Sequence, residues 1–253
     1  MRRALLLLPL LLAGFACKDD PVTFAPNARY IALGSSFASG AGIATETTDC
    51  RRSDHSYPHL VAASLTLELV DATCAGATTA DVVAALDAVT AETKLVTLTV
   101  GGNDIGYNAS ADACARPTTC TVDHSAISTL AASLTTLIDA IRGAAPDATI
   151  VLVTYPRIVP AEPCAALSFA TAEATAVADL GVALQYTFLS VADQKKIRIA
   201  DAYAASAGHG PCAAADARWI DGATVAEPAL PFHPTAAGHA AMSALVLDAL
   251  DGG

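Results

Sequence analysis

Five short apolar runs constrain this chain more than any other feature. They lie at 30–33, 67–70, 95–100, 149–153 and 197–199, and stretches of helical composition separate or follow them at 57–65, 79–89, 125–143, 168–189 and 236–250. Runs of this length that alternate with helices read as strands of a parallel sheet covered on both faces. The expected fold is α/β, a three-layer α/β/α sandwich around a central parallel sheet of about five strands. Ligands of such sheets bind at the carboxyl ends of the strands. Chemistry is therefore expected after the first and third runs, which stop at Gly34 and Gly101.

A chain of 253 residues suits one α/β domain with a sizeable core. With 53% hydrophobic and 15% charged residues, a disordered or collagen-like chain is excluded. Asp and Glu outnumber Lys and Arg 25 to 14, for a formal charge of −11. Such a surface repels phosphate backbones and argues against nucleic acid as a partner. Beyond the N-terminus no apolar run approaches the roughly 18 residues of a bilayer span.

Residues 1–16 read as a signal peptide: Arg2 and Arg3 precede an apolar stretch that ends at Phe15. Gly14 and Ala16 place small residues three and one before Cys17, which suits cleavage after Ala16. Cys17 then becomes the mature N-terminus, as in a lipidated bacterial lipoprotein, with plain secretion as the alternative. Residues 17–28 read as a tether and 29–253 as the folded domain. The expected location is exported, in the cell envelope or secreted, and Cys17 offers a route to membrane attachment. The other six cysteines suit three disulfides of an exported chain better than metal ligands. Six cysteines allow 15 pairings; sequential pairing closes each loop locally, giving Cys50–Cys74, Cys114–Cys120 and Cys164–Cys212. The stretches 106–124 and 202–232 are expected to be irregular loops pinned by these bridges.

Three segments carry chemistry. Ser36 follows Gly34-Ser35 at a strand-to-helix turn, where a hydroxyl can stand at the mouth of the sheet and backbone N–H groups can face an oxyanion. Asn103 in Gly101-Gly102-Asn103-Asp104 can offer a carboxamide, and Gly76 between them can offer a backbone N–H. His233, before Pro234, enters the last helix from a loop and can serve as general base. His239, six residues on, is expected to support packing.

In this order and at these positions the segments resemble the SGNH, or GDSL, hydrolase family over about residues 29–248. Gly34-Ser35-Ser36 matches the first block, Gly76 the second, Gly101 to Asp104 the third, and His233 within His-Pro-x-Ala-Ala-Gly-His the last. The three-disulfide pattern and the stretch 50–58 look most like the secreted actinomycete esterase and lipase branch. The resemblance implies a flavodoxin-like fold, Ser36 as nucleophile, and an oxyanion hole of Ser36, Gly76 and Asn103. Two positions depart from it. Ser35 replaces the Asp before the nucleophile, so altered loop bonding is expected. The acid three residues before the histidine is Leu230, so its backbone carbonyl is the expected acceptor from His233, making a Ser-His dyad; Glu227 and Asp221 are the alternatives.

The function expected is a serine esterase or lipase that uses no metal or organic cofactor and works as a monomer on small-molecule or lipid esters. The alternatives are a carbohydrate O-acetylesterase, disfavoured by a single tryptophan (Trp219) and 5% aromatic residues, and a surface lipoprotein that keeps the fold without turnover. The small, polar 106–124 stretch favours a plain esterase over an interfacial lipase.

Overall fold

A computed structural model describes residues 20–252, apart from 44–48, 117–119, 161, 165, 166 and 168. The signal segment and Cys17 lie outside the described residues. Strands β1 (Arg29–Gly34), β2 (Glu68–Asp71), β3 (Thr93–Thr99), β4 (Thr149–Val153) and β5 (Arg198–Ala200) form one parallel sheet in the order β2-β1-β3-β4-β5. From β1 the chain crosses to β2 on one side and returns to β3 on the other. The ends of β1 and β3 are therefore neighbours, with Gly34 beside Thr99. A crevice opens where strand order reverses in this way.

Alternation along each strand sends side chains to two cores. Ile31, Leu33, Val96, Leu98, Ile150 and Leu152 face the side covered by α3 (Thr79–Ala84), α5 (Ile127–Ala144) and α6 (Thr171–Lys195). Tyr30, Ala32, Leu95, Val151 and Val153 face α2 (Tyr57–Leu65) and α8 (Ala236–Leu250). On this second face the strand threonines are buried but paired: the Tyr30 hydroxyl meets Thr97 Oγ1 at 2.7 Å and the Tyr57 hydroxyl meets Thr99 Oγ1 at 2.8 Å. Such pairing removes the cost of burying a hydroxyl.

The helices depart from expectation in four places. The segment after Gly106 is not irregular: Tyr107–Cys114 forms α4, with Tyr107, Ala111 and Cys114 buried. Within the C-terminal stretch, Ala202–Ala205 forms the short α7, capped by the Asp201 carboxylate on the Ala204 N–H. Helix α3 stops at Ala84 and continues as a 3-10 turn over Leu86–Ala88. Finally, α6 is long and apolar enough to cross a membrane by length and composition. It owes this to dispersed alanines rather than to one apolar run, and here it packs Leu180, Leu184 and Phe188 into the first core.

Residues 20–28 are docked rather than loose. The Val22 N–H donates to the Leu250 carbonyl and the Asn27 N–H to that of Thr66. Val22 and Phe24 lie against the second core. The cysteines pair as Cys50–Cys74, Cys114–Cys120 and Cys164–Cys212.

Candidate active site

The crevice at the carboxyl ends of β1 and β3 is a cleft of about 460 Å³, walled by Ser36, Gly76, Asn103, Leu230, Pro231 and His233 among others. Ser36 opens the one-turn helix α1 (Ser36–Ser39) directly after β1. The turn needs glycine at 34, whose φ is 149° and where a Cβ would stand 2.4 Å from the Thr99 carbonyl oxygen. The Ser35 N–H then donates to that same carbonyl at 2.9 Å, extending the ladder and fixing the next residue over the sheet.

His233 reaches Ser36 from the opposite wall. The Ser36 hydroxyl donates to Nε2 at 2.9 Å, and Nδ1–H donates to the Pro231 carbonyl at 2.8 Å. The carbonyl expected to accept this proton was that of Leu230, and the structure corrects it by one residue. Leu230 to His233 form a turn closed by the His233 N–H on the Leu230 carbonyl at 3.2 Å. Phe232 adopts a left-handed φ of 58°, and Pro231 takes the position before it, a pattern of type II character. The turn consumes the Leu230 oxygen and turns the Pro231 oxygen toward the imidazole. Neither Glu227 nor Asp221 receives the Nδ1 proton; Asp221 instead donates its backbone N–H to the His233 carbonyl at 2.9 Å.

Both members of the pair are buried. Burial pushes the His233 imidazole down to about 4; the bond to Pro231 opposes this and the positive Arg51 nearby adds to it. At neutral pH the ring is therefore uncharged, the form that accepts a proton from serine. Phe37 packs on the His233 ring with centroids 5.0 Å apart and limits its rotation.

The loops carrying Gly76 and Asn103 are tied to one another. Asn103 Nδ2 donates one hydrogen to the Ala77 carbonyl at 2.9 Å, and a carboxamide has a second to offer. The Asp104 carboxylate accepts the Thr79 N–H at 3.1 and 3.0 Å and also its hydroxyl, which pins the start of α3 to the end of β3. Gly76 has a φ of 86° and no neighbour where a Cβ would stand. It turns within Cys74–Ala77, a segment held by the Cys50–Cys74 bridge and by the Ala75 N–H on the Cys50 carbonyl.

One residue went unread in the sequence. Tyr155, fully buried, places its hydroxyl 3.0 Å from Ser35 Oγ and accepts the Gly102 N–H at 3.0 Å. It thus joins the Ser36 loop to the Asn103 loop through Ser35 and Gly102. Gly102 must be glycine because a Cβ there would meet the Tyr155 ring at 2.8 Å. Burial drives the Tyr155 phenol up to about 12, so it stays protonated and able to serve both partners. His239 was expected only to pack. Its Nδ1 accepts the Tyr57 N–H at 3.2 Å, which satisfies a donor at the start of α2. That bond could not be read from sequence, since residues 57 and 239 meet only through the packing of α2 on α8.

The chain is similar to known proteins over most of its length. A profile of the GDSL-like lipase/acylhydrolase family matches residues 32–241. Lipase 2 of Streptomyces coelicolor is 30% identical, covering 91% of this chain and 88% of its own. The lipase of Streptomyces rimosus is 32% identical over 83% of this chain and 81% of its own. Among solved structures, the extracellular lipase of Streptomyces rimosus superposes with a TM-score of 0.77 at 30% identity, covering 88% of this chain and 98% of that one. The phospholipase A1 of Streptomyces albidoflavus gives 0.76 at 28% identity, over 89% and 98%. With most of its length matched and its parallel sheet shared, this chain belongs to the GDSL, or SGNH, lipase and acylhydrolase family, in the branch of the secreted actinomycete enzymes, and is a carboxylic ester hydrolase.

Proposed function

We propose that the chain hydrolyses esters through a Ser36–His233 dyad and a covalent acyl-enzyme. The observation that carries this reading is the 2.9 Å contact between Ser36 Oγ and His233 Nε2, inside a cleft also walled by Gly76 and Asn103. His233 takes the hydroxyl proton as Ser36 Oγ attacks the ester carbonyl. The oxyanion that forms lies against the N–H groups of Ser36 and Gly76 and the second amide hydrogen of Asn103. His233 then returns its proton to the leaving alkoxide, which departs as the alcohol. Water, deprotonated by the same nitrogen, attacks the acyl-enzyme; its oxygen leaves in the carboxylic acid and Ser36 recovers its proton.

The Pro231 carbonyl holds Nδ1–H and so sets the tautomer that leaves Nε2 free to accept. As a neutral acceptor it stabilises the imidazolium less than a carboxylate would. The disulfides and the secreted relatives suggest an exported protein, and Cys17 is the proposed lipid attachment point.

Hydrolysis of p-nitrophenyl esters from acetyl to palmitoyl tests the assignment. Wild type is expected to turn over, while Ser36→Ala and His233→Ala lose activity. Asn103→Ala is expected to keep the nucleophile but lose roughly 10²–10³ in kcat. Full activity in Ser36→Ala would remove the dyad, and Asn103→Ala within a few-fold of wild type would remove that donor.

A further inference from the structure

The two loops that carry Ser36 and Asn103 meet at one side chain. Tyr155, just beyond the end of β4, accepts the Gly102 N–H on its hydroxyl oxygen at 3.0 Å. Its own proton is then left for Ser35 Oγ, also at 3.0 Å. Ser35 directly precedes Ser36, and Gly102 directly precedes Asn103. On the backbone side, the Ser35 N–H donates to the Thr99 carbonyl at 2.9 Å, and the Gly102 carbonyl accepts the Tyr107 N–H at 2.8 Å. Each of the two residues is thus held by backbone on one side and by Tyr155 on the other.

This tie overrides a local preference. Ser35 is the N-cap of α1 in an extended conformation, the place where a serine oxygen ordinarily accepts an N–H of its own helix. Its side chain makes no such bond and reaches Tyr155 instead, 120 positions along the chain. A local rule given up in this way is characteristic of functional positions. The phenol is itself held fast, with the rings of Phe37, Tyr107 and Phe188 packed on it at centroid distances of 4.8, 6.2 and 6.0 Å. A fixed ring with a hydrogen bond to each loop sets the distance between them. Two loops relaxing separately would not keep donors within the roughly 0.5 Å that a reacting constellation tolerates.

We propose that Tyr155 is a positioning residue: through Ser35 and Gly102 its hydroxyl sets the separation between the Ser36 N–H and the Asn103 carboxamide. The inference rests on the reading of those two groups as oxyanion donors to a Ser36–His233 dyad. It goes further by naming the side chain that holds them in register. Tyr155 acts through its two neighbours, so its loss is expected to tell on the tetrahedral state more than on substrate binding.

Tyr155→Phe removes the hydroxyl and keeps the packed ring. With p-nitrophenyl butyrate it is expected to lower kcat roughly 10- to 100-fold while KM stays within a few-fold of wild type. Inhibition by phenylboronic acid, which bonds to Ser36 Oγ as an anionic tetrahedral adduct, should weaken by a similar factor. The acid limb of kcat/KM should stay in place, because His233 keeps its bonds to Pro231 and Ser36. Tyr30→Phe is the control: it removes another buried hydroxyl, bonded to Thr97 Oγ1 at 2.7 Å in the second core. It is expected to lower the urea midpoint as Tyr155→Phe does and to leave kcat and the boronic acid affinity unchanged. Ser35→Ala cuts one end of the tie and gives the same readings if Tyr155→Phe does not fold. A second loss should be absent in Ser35→Ala/Tyr155→Phe, since the two residues act as one unit. Wild-type kcat in a folded Tyr155→Phe, or in Ser35→Ala, overturns the proposal, and so does an equal loss of kcat in Tyr30→Phe. Wild type that neither turns over p-nitrophenyl esters nor binds the boronic acid would overturn the Ser36–His233 reading itself.

Discussion

At the scale of single residues, the site turns on where one histidine's protons go. Nδ1–H is held by a carbonyl and Nε2 faces Ser36, so both ring nitrogens are engaged while the ring is neutral. Burial lowers its pKa from 6.5 to about 4. The sign follows directly: a base with a lowered pKa stays unprotonated, and so competent, to more acidic pH. On a neutral p-nitrophenyl ester, kcat/KM should hold level from pH 7 to about 5, with its acid limb near 4, because this parameter reports the free enzyme. Initial rates over short assays between pH 3 and 8 would show it. An acid limb near 6.5 would mean that the ring is solvated and that the 2.9 Å contact with Ser36 is not the resting state.

Single elements set the Asn103–Gly76 side of the cleft through one carboxylate. Asp104, at the end of β3, holds the first N–H and hydroxyl of α3 and thereby the spacing between Asn103 and Gly76. Asp81 grips the same helix start but faces solvent, capping Thr78 in a capping box. The pair separates positioning from stability. Asp104→Ala should lower kcat roughly 10- to 100-fold with a smaller change in KM, since small displacements near the reacting atoms cost that much. Asp81→Ala should leave kcat unchanged and lower the urea midpoint of unfolding slightly. Equal kinetics in the two variants would reduce Asp104 to an ordinary cap. Asp104 was visible in the sequence as part of a motif, but its partner was not, because Thr79 reaches it only through the crossover from β2 to α3. The same division holds throughout. Strands and long helices were legible because their apolar patterns are local: 57–65, 149–153 and 236–250 match the structure residue for residue. Helix α4 was not, since Tyr107-Asn108-Ala109-Ser110 has little apolar content and α4 is held by what it packs on. The acceptor for His233 was missed by one residue because a left-handed Phe232 is an unusual choice that the buried packing of its ring on Phe169, centroids 5.9 Å apart, imposes.

For the whole molecule, the two buried histidines couple folding to acidity. His239 is driven down to about 3 by burial and by its neighbour His233, and His233 itself to about 4. In the unfolded chain both would titrate near 6.5, so between these values the unfolded state binds more protons than the native one. Their contribution to stability is therefore complete above about pH 6.5 and drains away as the pH falls toward 4 and 3. Each ring should remove about 1.4 kcal/mol per pH unit within that window. The range from pH 7 to 5 isolates the effect, because carboxylates in the unfolded chain titrate mainly below it. Urea unfolding with the disulfides intact should show stability falling across this range. His239→Asn should reduce the slope, because its Oδ1 can take the place of Nδ1 and still accept the Tyr57 N–H without titrating. The substitution sits on α8, the helix that leads back to His233, so it also asks whether the packing of α2 on α8 and the active-site loop unfold as one unit. A gentler slope with the acid limb of kcat/KM in place would separate the fold's sensitivity to acid from the enzyme's. An unaltered slope in His239→Asn would mean that the ring at 239 reaches water before the domain unfolds.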